Sequence, residues 1–162
     1  MKTLLIFRHA KSSWSNTGLA DHDRPLNKRG KGDAPRMGEL LKEQDLVPDQ
    51  IITSTAKRAR TTAQLAAEGC GYDGDIMESR DFYHADPDDY IEFLSAYDLD
   101  AQIIMIVGHN PGMETLLYDL TGESAYLTTA NLAHVQLPIN AWRELDDRLE
   151  GQLIDLWRPK EL

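Results

Sequence analysis

The chain has 162 residues, 41% apolar content, a net charge of −10 and one cysteine, Cys70. That length suits one compact domain over residues 1–162, and the acidic total argues against nucleic-acid binding. The longest apolar run, residues 103–107, is far too short for a membrane span, and a lone cysteine excludes an internal disulfide, so a cytoplasmic location is expected.

In chain order, residues 3–8 read as a buried strand; the opening MKTLLIF lacks the long apolar stretch of a signal peptide. Residues 9–26 lack periodicity and read as a long loop. Residues 33–44 read as a helix with Pro35 in its first turn, where a missing N–H is harmless. Residues 50–54 form a second strand, and Ser54 is placed to cap a helix over residues 55–68. A short strand follows at 75–78, then a helix at 87–97. Residues 101–108 give the clearest strand. Asn110 and Pro111 look like the N-cap and first residue of a helix reaching about Leu120. Residues 132–137 and 152–157 read as final strands. Such alternation predicts an α/β sandwich around a mostly parallel sheet.

Charge is unevenly spread. Residues 1–60 carry 12 basic and 7 acidic residues, a net of +5; residues 61–162 carry 5 and 20, a net of −15. Either surface charge fluctuates along the chain, or the basic part marks a local anion site. Ligands of open α/β sheets sit beyond the carboxyl ends of the strands. There the first strand delivers Arg8 and His9, and the second delivers Ser54, Arg58 and Arg60. The 101–108 strand delivers Gly108 and His109 ahead of a helix N-terminus, and Arg24 in the loop can reach the same place. Arginines and helix N-termini together suit a phosphate. A single histidine after a strand is usually a hydrogen-bonded surface residue. Two at equivalent strand ends are harder to dismiss. A metal site is the rival reading, but neighbouring arginines repel a metal and attract a phosphoryl group.

RHA after the first strand, RPL before a helix, STAKRARTTA after the second strand and VGHNPGME after the fourth resemble the histidine phosphatase superfamily. Within it they are most similar to the SixA-type phosphohistidine phosphatases. YHADPDDYIEFL, LTTANLA and WRPKEL extend the likeness over nearly the whole chain. The resemblance implies a three-layer α/β/α sandwich like that of phosphoglycerate mutase, and an enzyme without metal or organic cofactor. It implies His9 as nucleophile, with Arg8, Arg24 and Arg58 binding phosphate beside the second histidine, His109. Arg60 falls at a variable position. Ala10 stands where many members carry the glycine of an RHG motif, a change that SixA-like sequences tolerate.

The general acid is not matched. One branch places an aspartate directly after the second histidine, where this chain has Asn110. Mutase-like members carry a glutamate near residues 76–84; Glu78, Asp81 and His84 are the candidates there, and each alone reads as a solvated polar residue. The expected reaction is hydrolysis of a phosphohistidine through a covalent phosphohistidine enzyme. Its partners would be a phosphorylated protein or a small phosphorylated metabolite, with no nucleic acid and no membrane. The alternatives are a small-molecule phosphomonoesterase or mutase of the same superfamily, and a phosphate-binding module without catalysis.

Overall fold

The computed structural model describes residues 1–96 and 100–162. Four of its strands are β1 (Lys2–Arg8), β2 (Gln50–Ser54), β3 (Ile76–Ser79) and β4 (Ile103–Gly108). With β5 (Leu132–Leu137) and β6 (Gln152–Trp157) they form one sheet of order β3-β2-β4-β1-β5-β6. The first four run parallel, and β5 is antiparallel to both β1 and β6.

The apolar run of β1 explains its central place. Leu5 and Phe7 point to one face, under helices α1 (Lys28–Glu43) and α2 (Lys57–Cys70), with Met37, Leu41, Ala63 and Met105. Leu4 and Ile6 point to the other, under α3 (Pro87–Ala96) and α4 (Gly112–Thr121), with Leu94, Ile104, Leu116 and Leu117. A strand covered on both faces needs a continuous apolar run, and each fully buried Leu, Ile or Phe contributes about 1.5–3 kcal/mol. The result is a three-layer α/β/α sandwich.

Four helix expectations need correction or limits. α1 starts at Lys28, five residues earlier than the periodicity suggests, because Asn27 caps it by accepting from the Gly30 N–H at 2.9 Å. Gly30 hides that start by its weak helix preference. It is there because a Cβ would lie 2.2 Å from the Lys11 carbonyl oxygen, so only glycine lets the loop after β1 lie against the helix. Pro35 is therefore the eighth residue of α1, where it forgoes one backbone bond at a cost of about 3 kcal/mol. The burial of Met37, Leu40 and Leu41 beyond it offsets that loss. α2 starts at Lys57 with Ala56, not Ser54, at the cap position, although the Ser54 hydroxyl accepts from the Ala56 N–H. α4 starts at Gly112 with Pro111 as cap residue; Asn110 still accepts from the Glu114 N–H at 3.2 Å. Tyr97, the expected last residue of the third helix, lies outside the described residues.

Register fixes what the strand ends bring together. Arg8 lies opposite Gly108, and Thr53 opposite Val107. His9, Ser54 and His109 therefore leave three adjacent strands at one level.

Candidate active site

A cavity of about 310 Å³ opens at this level, lined by Arg8, His9, Arg24, Arg58, His84 and His109. The five residues carried over from the family motifs thus meet in one place. His9, Arg24, Arg58 and His109 are all buried.

The backbone around His9 is pinned on both sides. Its N–H donates to the Gly108 carbonyl and its carbonyl accepts from Ala130. The next residue, Ala10, donates to Thr62 Oγ1, which donates to the Arg58 carbonyl at 2.7 Å. The His9 Nδ1 lies 2.8 Å from the Ala10 carbonyl oxygen. A carbonyl only accepts, so Nδ1 carries the proton and Nε2 keeps its lone pair. Burial is the main force pushing the imidazole down from 6.5 to about 4; the Ala10 bond opposes it, and Arg58, Arg8 and Arg24 add to it. His9 is therefore neutral at pH 7.

His109 is held from a second strand end. Gly108 before it admits the Tyr90 hydroxyl, 2.4 Å from where a Cβ would stand, and this hydroxyl oxygen accepts from the His109 N–H. Burial first, then His9 and Arg58, hold the His109 imidazole down at about 3. Its Nε2 is 2.8 Å from Ser54 Oγ, and its buried Nδ1 has no partner. Ser54 Oγ already accepts from the Ala56 N–H, so its own proton is free for Nε2. With Ser54 as donor to Nε2 the hydrogen sits on Nδ1, as a donor for a bound group; with Ser54 as acceptor it sits on Nε2.

The arginines are anchored and only partly committed. Arg8 donates from Nη1 to the Leu127 carbonyl, and its buried Nε has no partner. Arg58 donates from Nη1 to the Asp21 carbonyl at 2.7 Å and from Nη2 to Asp21 Oδ2 at 3.0 Å, and its Nε is likewise buried without a partner. Arg24 donates from Nε to Asp21 Oδ1 and from Nη1 to Ser12 Oγ, and its guanidinium lies 3.4 Å from the centre of the Trp14 ring. Unpaired buried N–H groups on two cations are costly unless an anion takes them, and a phosphoryl group with three equatorial oxygens is suited to do so.

The proton-donor candidates separate. His84 lines the cavity, with a left-handed backbone (φ 56°) and its ring 4.0 Å from that of Tyr83. Glu78 does not reach the cavity: exposed on β3, it pairs with Arg60 at 3.8 Å. Asp81, in the 3-10 turn after β3, borders a separate hollow with Asp89 and Glu92. Sequence reasoning missed Asp21 and Trp14, which no periodicity or family motif singled out, and gave no role to Tyr83, the first residue of YHADPDDYIEFL. The sequence places Ser54 at the second strand's end and as a helix cap; its bond to His109 is a tertiary contact across two strand ends. Among the described residues no group of three potential metal-ligating side chains gathers, and no helix is long and apolar enough to cross a membrane.

The profile of the histidine phosphatase superfamily, branch 1, matches residues 4–81. An uncharacterised chloroplastic protein of Arabidopsis thaliana is 34% identical over 152 residues, spanning 88% of this chain and 70% of the relative. The chain belongs to the histidine phosphatase superfamily, and phosphatase chemistry is the activity that this membership and the site support. Within the superfamily it is of the SixA type. The crystal structure of the provisionally assigned phosphohistidine phosphatase SixA of Agrobacterium tumefaciens is 30% identical, with 98% of each chain covered and a TM-score of 0.82. A 2,3-bisphosphoglycerate-dependent phosphoglycerate mutase of Cutibacterium acnes is 42% identical over 71 residues, but that stretch is only 28% of the mutase.

Proposed function

We propose that the chain hydrolyses phosphohistidine on a protein through a covalent phosphohistidine at His9. The observation that carries this reading is the His9 side chain: Nδ1 is fixed on the Ala10 carbonyl, Nε2 is free, and the ring lines a cavity with three arginines. His9 Nε2 attacks phosphorus as the bond to the leaving nitrogen breaks. Arg8, Arg24, Arg58 and His109 Nδ1–H donate to the phosphoryl oxygens as charge shifts onto them. Water then attacks the phosphoryl group on His9, releasing inorganic phosphate and restoring the free imidazole. The reaction needs no metal and no organic cofactor.

The leaving group supports the phosphohistidine assignment. Asp21 is the one carboxylate among the cavity's described lining residues. The Tyr83 hydroxyl and two arginines hold it far below the usual carboxylate range, so it has no proton to give at pH 7. An imidazole protonated on its remote nitrogen leaves as a neutral ring and needs none, whereas an alkoxide does. A phosphomonoesterase is the second reading, favoured by His84 at the cavity wall. We place the activity in one cytoplasmic domain spanning residues 1–162.

Rapid quenching of turnover tests the proposal. Wild type should carry an acid-labile, alkali-stable phosphoryl group on His9, and His9→Ala should lose both that group and turnover while keeping its thermal midpoint. Turnover retained in His9→Ala overturns the nucleophile; phosphate binding without any turnover in wild type leaves only a binding module.

A further inference from the structure

Asp21 begins a short 3-10 turn, Asp21–Asp23, in the loop between β1 and α1, and its half-exposed carboxylate lines the cavity. A fixed negative charge beside an anion pocket should repel the ligand. Its contacts point the other way. Oδ1 accepts from Arg24 Nε at 3.1 Å, and Oδ2 accepts from Arg58 Nη2 at 3.0 Å and from the Tyr83 hydroxyl at 2.6 Å. The Asp21 carbonyl accepts from Arg58 Nη1. One residue therefore ties together the loop after β1, the first turn of α2 and the segment after β3.

We propose that Asp21 is a positioning residue for phosphoryl transfer, fixing Arg24 and Arg58 so that their uncommitted N–H groups meet the phosphoryl oxygens. This rests on the phosphatase reading above. A free arginine side chain loses rotamer freedom when it is fixed on a ligand. In this chain folding fixes both guanidinium groups before the phosphoryl group arrives. Arg58 gives one N–H from each terminal nitrogen to Asp21 and keeps its buried Nε–H, and Arg24 keeps Nη2. A carboxylate suits the task because three side-chain donors converge on it, and an asparagine would offer one acceptor oxygen in place of two. The Tyr83 hydroxyl stays protonated as the third donor, since burial and the Asp21 charge both push its ionisation upward.

Two explanations of Asp21 predict opposite signs. If the carboxylate only adds negative charge, neutralising it tightens anion binding. If it positions the arginines, neutralising it loosens binding. Vanadate binding by calorimetry and steady-state hydrolysis of p-nitrophenyl phosphate should be measured for wild type, Asp21→Asn and Tyr83→Phe, with thermal midpoints recorded. We expect Asp21→Asn to weaken vanadate and to lower kcat/KM by about 10- to 100-fold, as loss of charge-assisted bonds does. Tyr83→Phe leaves all charges in place and should shift both in the same direction by less. Vanadate bound by Asp21→Asn as tightly as by wild type, or tighter, overturns the inference while leaving the phosphatase reading intact. Should wild type neither bind vanadate nor hydrolyse the ester, both fall together. If Asp21→Asn lowers the melting point by more than a few degrees, Tyr83→Phe decides alone: unchanged vanadate affinity there overturns the inference.

Discussion

The imidazoles of His9 and His109, delivered by neighbouring strands, lie with centroids 5.1 Å apart and planes tilted by 54°. Two rings this close beside three arginines cannot both carry charge. Burial is the largest cause of depression for each, and His9 further depresses His109. His9, the proposed nucleophile, is therefore unprotonated well below neutrality. The acid limb of kcat/KM, corrected for the substrate's own ionisation, should fall near pH 4 and not near the ordinary histidine value of 6.5. A pH–rate profile on an aryl phosphate decides this, and a limb at 6.5 would mean that His9 titrates as an exposed histidine.

The same depression makes folding stability depend on pH. Between 6.5 and about 4 the unfolded chain binds protons at these positions that the folded chain refuses. Stability is then full above 6.5 and is lost as pH falls through that window. Each histidine should cost about 2 kcal/mol on going from pH 7 to 5. His134, also lowered by burial, adds in the same direction. Asp21 acts in the same sense but only below the ordinary carboxylate value of 3.8, outside this range. Urea unfolding at the two pH values should show the loss in wild type, and His109→Asn should remove about half of it. An equal loss in His109→Asn would assign the slope to other groups.

With Ser54 donating to Nε2, the hydrogen of His109 sits on Nδ1. Ser54→Ala removes the partner of Nε2 from a fully buried site and frees the ring to take either tautomer. One buried hydrogen bond of this kind supports about a tenfold loss in kcat/KM. Nitrogen-15 chemical shifts of the ring should report Nδ1–H in wild type and a mixture in the variant. An unchanged tautomer together with unchanged kinetics would show that His109 is oriented by its backbone alone.

The strands that carry the site were readable because continuous apolar runs mark buried parallel strands, and RHA and GHNPG follow two of them directly. The beginning of α1 was not, since the glycine that the Lys11 carbonyl requires at position 30 is also the residue that argues against a helix. Asp21 was invisible for a related reason. It lies in an aperiodic loop, and its meaning comes from Arg58 and Tyr83, which are distant in sequence. A lone aspartate among loop residues carries no pattern until the fold supplies its donors. Glu78 shows the converse: it stands in the right stretch of sequence, but its side chain goes to Arg60 on the surface.

Substrate class follows from what the cavity can protonate. Glu78 and Asp81 lie outside it, and Asp21 is held ionised by its three donors. His84 is left as the one candidate acid among the three sequence positions, beside Tyr83 at the cavity wall. A phosphohistidine or phosphoramidate needs no protein acid, because its leaving nitrogen departs from a group that already carries a proton. An alkyl phosphate does need one, and a missing general acid typically costs about 100- to 10,000-fold. Side-by-side kcat/KM values should therefore favour a phosphohistidine-bearing protein over a sugar phosphate by at least about 100-fold. His84→Ala should leave the phosphohistidine rate within about threefold, and Glu78→Gln and Asp81→Asn should change neither rate, because neither side chain reaches the phosphoryl site. If sugar phosphates are the better substrates and His84→Ala selectively loses them, His84 is the general acid and the chain is a small-molecule phosphomonoesterase.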